Sequence, residues 1–497
     1  MIFKEKKLLS CITIALLIVG SPMALAIDYT IDENGNKTSR ISDESAPILD
    51  ESIVPDRPMR LELGAPFIGS GTISPGYELP TGQVLQPSLL IFGTFRSAVQ
   101  SFRNPLGPSG DVALSEWANR LDIFANLQLT GTERILLGLQ PLHNRDLPPT
   151  YTGINFGPNR DARGDDGYVD RFNADIRTLF FEGDLGEIFP NLDRNDFRGL
   201  DIGFSVGRQP LFYQEGLLIN DTIDSVSLIR NNLVIPGGSN LQITGLYGWN
   251  GINRADNVEQ NDQLHLFGLF TQMDLPISTV SLDLVYTLDD EKGNDGFYWG
   301  LSSSQRIGHI STNFHLLGSH TVGSKINNRP GRPVAAVDDG YLLWAETSYV
   351  MPWSADNVYF NAFWGIDQFT SAARGPDVGG PLGRHGLLFA SQGLGRYTPA
   401  ISNQSQDAYG FALGYQMFFS GVRRQVVFEV GSSDGTVSNS PSVVAILTRF
   451  QQAIGQRFVF QLDGFYSYTD ADRKRDRFGR RIGHDGYGLR SEIRMNF

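Results

Sequence analysis

The chain is built from stretches of alternating polarity. In its last segment, "GYGLRSEIRMNF" (486–497), one set of alternate residues, Tyr487, Leu489, Ser491, Ile493, Met495 and Phe497, is largely apolar. The residues between them, Gly488, Arg490, Glu492, Arg494 and Asn496, are largely charged or polar. A period of two marks a β-strand with different surroundings on its two faces. The same alternation recurs at 88–102, 117–130, 133–142, 174–186, 199–209, 223–235, 240–249, 263–274 and 278–289. It continues at 296–305, 309–319, 340–351, 357–367, 408–418, 424–432, 442–452, 456–469 and 486–497, making eighteen segments. Most have about 10 residues or a few more, the length a tilted strand needs to cross a bilayer.

The connections separate a membrane barrel from a soluble sandwich. "TGTE" (130–133), "PGGSN" (236–240), "DLPIS" (274–278), "QRIGH" (305–309), "PWSADN" (352–357), "FSGVRR" (419–424) and "AIGQ" (453–456) are short and rich in turn formers. They alternate with longer loops at 103–116, 143–173, 210–222, 250–262, 290–295, 320–339, 368–407, 433–441 and 470–485; only 187–198 is long for a turn. Short turns on one rim and long loops on the other are the pattern of outer-membrane barrels. The predicted fold is all-β, a closed antiparallel transmembrane β-barrel of about 18 strands over 87–497, with both ends of the chain on the periplasmic side. Loops 143–173 and 368–407 are long enough to fold inward.

Outward positions agree with lipid contact. Leu121, Ile123, Ala125, Leu127 and Leu129 stand opposite Arg120, Asp122, Asn126 and Gln128, and Val358, Phe360, Ala362, Trp364 and Ile366 opposite Asn361 and Asp367. Trp117, Trp249, Phe297, Trp299, Tyr466, Tyr468 and Tyr487 gather toward the outer rim and Tyr349 and Phe497 toward the inner one, the headgroup levels that amphipathic rings favour. The last strand must pair with the first so that no edge faces hydrocarbon. Tyr487, Leu489, Ile493, Met495 and Phe497 also resemble the C-terminal signal read by the outer-membrane barrel assembly machinery, an expected partner beside lipid and lipopolysaccharide.

Residues 1–26 have the form of a signal peptide: Lys4, Lys6 and Lys7, an apolar run through Ile12–Gly20, and Ala24-Leu25-Ala26 as cleavage site. Its removal takes away Cys11, the sole cysteine, so disulfides do not hold the mature chain. The whole chain has a net charge of −13, which argues against a nucleic-acid partner. No segment after Ala26 is apolar enough to span a bilayer as a helix, so a membrane-spanning form has to be a closed barrel. The acidic stretch 27–86 reads as a periplasmic segment, partly disordered or a small plug.

Catalytic chemistry is scarce, and no enzyme is expected. His143, His265, His309, His315, His320, His385 and His484 include no two with metal-ligand spacing on one strand face. Asp161, Asp165, Asp166 and Asp170 form a candidate calcium cluster, the one cofactor considered. "DADRKRDRFGRR" (470–481) is a candidate contact for lipopolysaccharide phosphates. Alternation points Asp122, Glu182, Asp184, Asp201, Asp283, Glu346, Asp367, Glu429, Asp463 and Glu492 inward, against Arg96, Arg120, Arg134, Arg449, Arg490 and Arg494. Acids lead ten to six, which predicts a mildly cation-selective pore permissive to neutral sugars.

"VGRQPLFYQEGLLINDTIDSVSLIRN" (206–231), a Gly-Arg-Gln strand ending, an aromatic loop and an Asp opening the next strand, resembles the corresponding hairpin of porin-type barrels, particularly the alginate-export family. The resemblance spans roughly 88–497, with Arg208 and Asp224 as matched polar residues. It implies a non-enzymatic channel. Alternation places Arg208 outward unless a bulge turns it into the pore. The expected function is passive diffusion of hydrophilic solutes, carbohydrates or small ions, across the bacterial outer membrane. The alternatives are polyuronate export and an adhesion or scaffold barrel.

Overall fold

The computed structural model describes residues 76–104, 113–144, 150–156, 167–192, 199–254, 264–289, 295–322, 337–419, 422–437, 441–470 and 485–497, with the backbone of 29–31, 37–39, 61–64 and 259–261. The proposed signal peptide, Asp161, Asp165, Asp166 and nearly all of the basic stretch 470–481 lie outside the described residues.

Eighteen long strands form the wall. They are β1 (Ser88–Arg103), β2 (Leu114–Gln128), β3 (Arg134–Leu139), β4 (Ile176–Asp184), β5 (Gly203–Tyr213) and β6 (Ile219–Leu233). Then come β7 (Asn240–Asn250), β8 (Leu264–Asp274), β9 (Ser278–Asp289), β10 (Asp295–Ile307), β11 (Ile310–Val322) and β12 (Gly340–Val350). The circuit ends with β13 (Asn357–Asp367), β14 (Ala408–Phe419), β15 (Arg424–Gly435), β16 (Ser442–Ile454), β17 (Phe458–Asp470) and β18 (Asp485–Asn496). Each pairs antiparallel with the next, and β18 closes on β1 from Tyr487↔Arg103 to Asn496↔Thr94. Closure satisfies the backbone groups that an open edge would expose to hydrocarbon.

Burial follows the alternation. On β18, Leu489 and Ile493 are exposed on the outside while Arg490 and Glu492 are buried within. Phe497 continues the outward series, and its ring lies against Gly93, where a β-carbon would approach the ring to 2.7 Å. The backbones of Phe497 and Gly93 exchange two hydrogen bonds at 2.9 and 3.0 Å. Beyond them the short strand Leu61–Gly64 pairs with the free start of β1, Leu61↔Ile91 to Gly64↔Ser88. Part of the 27–86 segment thus belongs to the barrel sheet. A separate hairpin, Tyr29–Ile31 with Lys37–Ser39, is the described part of the Met1–Asp56 unit.

Two long-loop connections enter the lumen. The β5–β6 hairpin leaves the wall above Arg208 and Asp224: β4 pairing with β5 stops at Leu179↔Arg208, while β5–β6 pairing runs on to Tyr213↔Ile219. Gly207 makes the departure feasible. Its φ of +127° suits glycine alone, and a β-carbon there would lie 2.3 Å from Leu179 O. The sequence suggests a loop over 210–222; the strands instead persist to a tight turn, Gln214–Leu218, in which Gln214, Gly216, Leu217 and Leu218 are buried. Segment 368–407 folds in beside it, with Ala373–Arg374 parallel to the start of β6. Phe369, Leu382, Leu388 and Phe389 of this segment pack with Leu217, Leu218, Trp344, Phe363 and Ala412 in one apolar core.

Candidate functional site: the constricted lumen

Segment 368–407 is fastened to the wall through groups that the alternation directs inward. Glu429, buried on β15, accepts hydrogen bonds from Leu387 N at 2.8 Å and Leu388 N at 2.7 Å, and from the Tyr359 hydroxyl. Trp344 Nε1 donates to His385 Nδ1 at 3.0 Å, and Asn361 donates to the His385 carbonyl at 2.6 Å. Arg374 reaches the carbonyls of Gly216 and Gly380 at 2.5 and 2.7 Å, so one loop holds the other.

The other face of the segment meets a basic wall. Register sets Arg494, Arg96 and Arg120 directly opposite one another on β18, β1 and β2. Two inward rows toward the long loops, Arg449, Asp463 and Arg490 stand in register. Arg96 donates to Glu492 at 2.8 Å and to the Gln392 carbonyl at 2.9 Å. Arg120 donates to Asp122 at 3.0 Å, to Asp377 at 3.3 Å and to the Gly393 carbonyl at 2.9 Å. Arg449 and Arg490 share Asp463 at 2.6 and 3.2 Å and the Gln392 side-chain oxygen at 3.1 and 3.3 Å.

Exposure varies within this network. Asp463 and Glu492 are each 1% exposed and enclosed by arginines, and Arg490 is wholly enclosed, whereas Arg494 is 38% exposed. Arg96 and Arg120 keep smaller exposed edges beside the inward segment, as do their acidic partners Asp122 and Asp377. Among the described residues, this strip is the place where the inward segment and a run of like charges coincide.

The remaining inward residues are dispersed. Arg134 and Glu182 pair at 2.5 Å near the short-turn rim, both partly exposed. Asp283 is buried and bonded by Gln214 at 2.9 Å, whose oxygen lies 2.9 Å from His315 Nδ1, a chain joining β9 and β11 through the β5–β6 turn. Glu346 lines a polar cavity of about 620 Å³ with Ser304, Ser311, Asn313 and Ser348. Asp367 ends β13 exposed at the long-loop rim.

Two placements differ from expectation, and Arg208 keeps the face that alternation gives it. Asp201 precedes β5, is exposed and lies 3.5 Å from Arg230, outside the barrel wall, because the strand starts four residues later than the sequence suggests. Asp184 ends β4 and caps a single helical turn by accepting from Gly186 N at 2.8 Å, so its carboxylate serves the turn. Arg208 occupies the opposite face of its hairpin from Gln209 and Ser225 and donates to Asp224 at 2.8 and 3.1 Å, and Asn250 Nδ2 donates to the same carboxylate at 2.6 Å. The β6–β7 register shifts between Asp224 and Ser225, beside this pair, and Gly207 bends the hairpin just before it. Asp170 is exposed and accepts from Phe172 N at 3.0 Å. No metal-binding group of three His, Cys, Asp or Glu occurs among the described residues.

Sequence reading missed Gln392, Asp377, Arg396 and Gln214, which sit in loops where alternation says nothing. Arg396 donates to Glu116 at 2.9 Å, an acid one residue beyond the predicted strand boundary.

An eighteen-stranded antiparallel barrel with apolar flanks, a charged lumen and inward loops defines the fold of outer-membrane porins. Comparison with solved structures agrees. Pseudomonas aeruginosa OpdK, crystallised with vanillate, superimposes with a TM-score of 0.52 at 11% identity, over 82% of this chain and 98% of that one. A BenF-like porin from Pseudomonas fluorescens Pf-5 gives 0.52 at 11% identity with the same coverage. No family model and no curated protein matches the chain. The neighbours are porins of this kind, and the resemblance to alginate exporters finds no support among them.

Proposed function

We propose that the protein is a passive-diffusion channel of the bacterial outer membrane that admits small hydrophilic solutes and favours those carrying a carboxylate. The observation that carries this reading is the row Arg494–Arg96–Arg120 beside the inward segment. Like charges directly opposed across strands oppose sheet stability. Such a row is sustained by anions: Glu492, Asp122 and Asp377 supply fixed carboxylates, and Arg494, 38% exposed, turns a guanidinium edge to the lumen beside them. Rings of arginine select anions, and guanidinium groups bind carboxylates in paired hydrogen bonds. The co-crystallisation of OpdK with vanillate, a carboxylate, supports the same chemistry.

Liposomes containing the purified protein test this. Benzoate is expected to enter faster than the neutral isostere benzamide, with the difference reduced about tenfold in R96Q/R494Q, the scale of one charge-assisted hydrogen bond. Equal entry of the two solutes into wild-type liposomes would refute the carboxylate preference.

A further inference from the structure

Beside the arginine row the lumen carries a second polar feature. Gln416, Gln425, Gln451 and Gln461 face inward on four consecutive strands, and their side chains form one hydrogen-bonded chain. Gln416 Nε2 donates to Gln425 Oε1 at 2.6 Å, Gln425 Nε2 to Gln451 Oε1, Gln451 Nε2 to Gln461 Oε1 at 2.5 Å, and Gln461 Nε2 to Asp463 Oδ2 at 2.6 Å. A carboxylate only accepts. Asp463, paired with Arg449 and Arg490, therefore sets the direction of every amide in the chain.

This order leaves a defined residue of bonding capacity. An amide has two N–H donors and an oxygen with two lone pairs. Gln425 and Gln451 each spend one donor and one lone pair on their neighbours and keep one of each. Both are half-buried on the lumen wall, whereas Gln461 is buried. A hydroxyl group donates and accepts at once and so matches the pair that remains. An aromatic C–H edge satisfies neither, and displacing water from such groups without replacing its hydrogen bonds loses affinity.

Position links the chain to the arginines. Gln425, Gln451 and Gln461 are in register, and the line continues to Glu492, two residues from Arg494 on β18. Strands lie about 4.8 Å apart and alternate residues about 7 Å apart. Long side chains and a one-ring acid together span that interval, with the carboxylate at Arg494 and the far end over the amides.

We propose that Gln425 and Gln451 are specificity-determining residues, a hydroxyl-binding rail that makes the channel favour carboxylates bearing a hydroxyl remote from the acid group. The inference rests on the carboxylate reading above, and the experiment separates the two. Entry of benzamide, benzoate and 4-hydroxybenzoate into liposomes is measured for wild type and Q425L/Q451L. The benzoate-to-benzamide ratio reports the arginine row alone. The 4-hydroxybenzoate-to-benzoate ratio reports the rail; it is expected to exceed one in wild type and to fall about fivefold in the variant, the scale of a neutral hydrogen bond. A ratio of one in wild type, or a ratio unchanged in the variant, overturns the proposal whatever the first ratio shows. Should the variant not insert, 4-methoxybenzoate on wild type decides: it accepts but does not donate, and entry as fast as 4-hydroxybenzoate overturns the rail.

Discussion

Glu429 shows how one residue couples wall to loop. Its carboxylate accepts two consecutive backbone N–H groups, Leu387 and Leu388, in a buried setting. Charge-assisted bonds of this kind contribute roughly 1.5–3 kcal/mol each. In E429Q one side-chain atom becomes a donor facing N–H groups, so at least one bond is lost. Single-channel records of E429Q are expected to show frequent excursions to higher conductance as the segment detaches; records as quiet as wild type would contradict the anchoring role. The inward direction of Glu429, Asp463, Glu492 and Arg449 was legible from alternation alone. Their partners were not, because pairing depends on register between strands far apart in sequence. Arg208 illustrates the gap: the hairpin motif was visible, but only the φ of Gly207 shows that the hairpin bends away from the wall with the Arg208–Asp224 pair at its base.

At the scale of elements, strand positions were the readable part, since a bilayer imposes a period of two and a minimum length on every crossing. The inward course of 368–407 was not readable. Its apolar residues, Phe369, Leu382, Leu388 and Phe389, follow no period and acquire meaning only against Trp344, Phe363 and Ala412. Two predictions follow from this packing. Deleting 372–402 should raise conductance markedly, and an unchanged value would show that the segment does not limit flow. Acid should loosen the same segment. Burial holds the His385 imidazole down at about 3, among Trp344, Phe363 and Phe389, against about 6.5 when released. The released form takes up a proton first, so the docked state has its full stability above about pH 6.5 and loses it progressively toward pH 3. At pH 4.5 the loss is roughly 3 kcal/mol. Open-channel current is expected to grow and flicker at pH 4.5 in wild type but not in H385L; identical wild-type records at pH 4.5 and 7.5 would contradict this.

For the whole molecule, counting charges by parity leaves out how far each charge is exposed. Acids lead ten to six in the sequence, yet Asp184 and Asp201 serve the short-turn rim, and Asp463, Glu492, Glu429 and Asp283 are enclosed by their partners. Arg494, Arg96 and Arg120 keep exposed edges where the inward segment meets the wall. The proposed carboxylate preference requires the exposed guanidinium edges, Arg494 above all, to set the field a permeating ion meets there, a selectivity opposite in sign to the one expected from the tally. The zero-current potential of the reconstituted channel across a KCl gradient tests this most directly. The account predicts a potential of anion-selective sign that moves toward zero in R96Q/R494Q; a cation-selective potential in wild type, or the absence of any ion conductance, would contradict it.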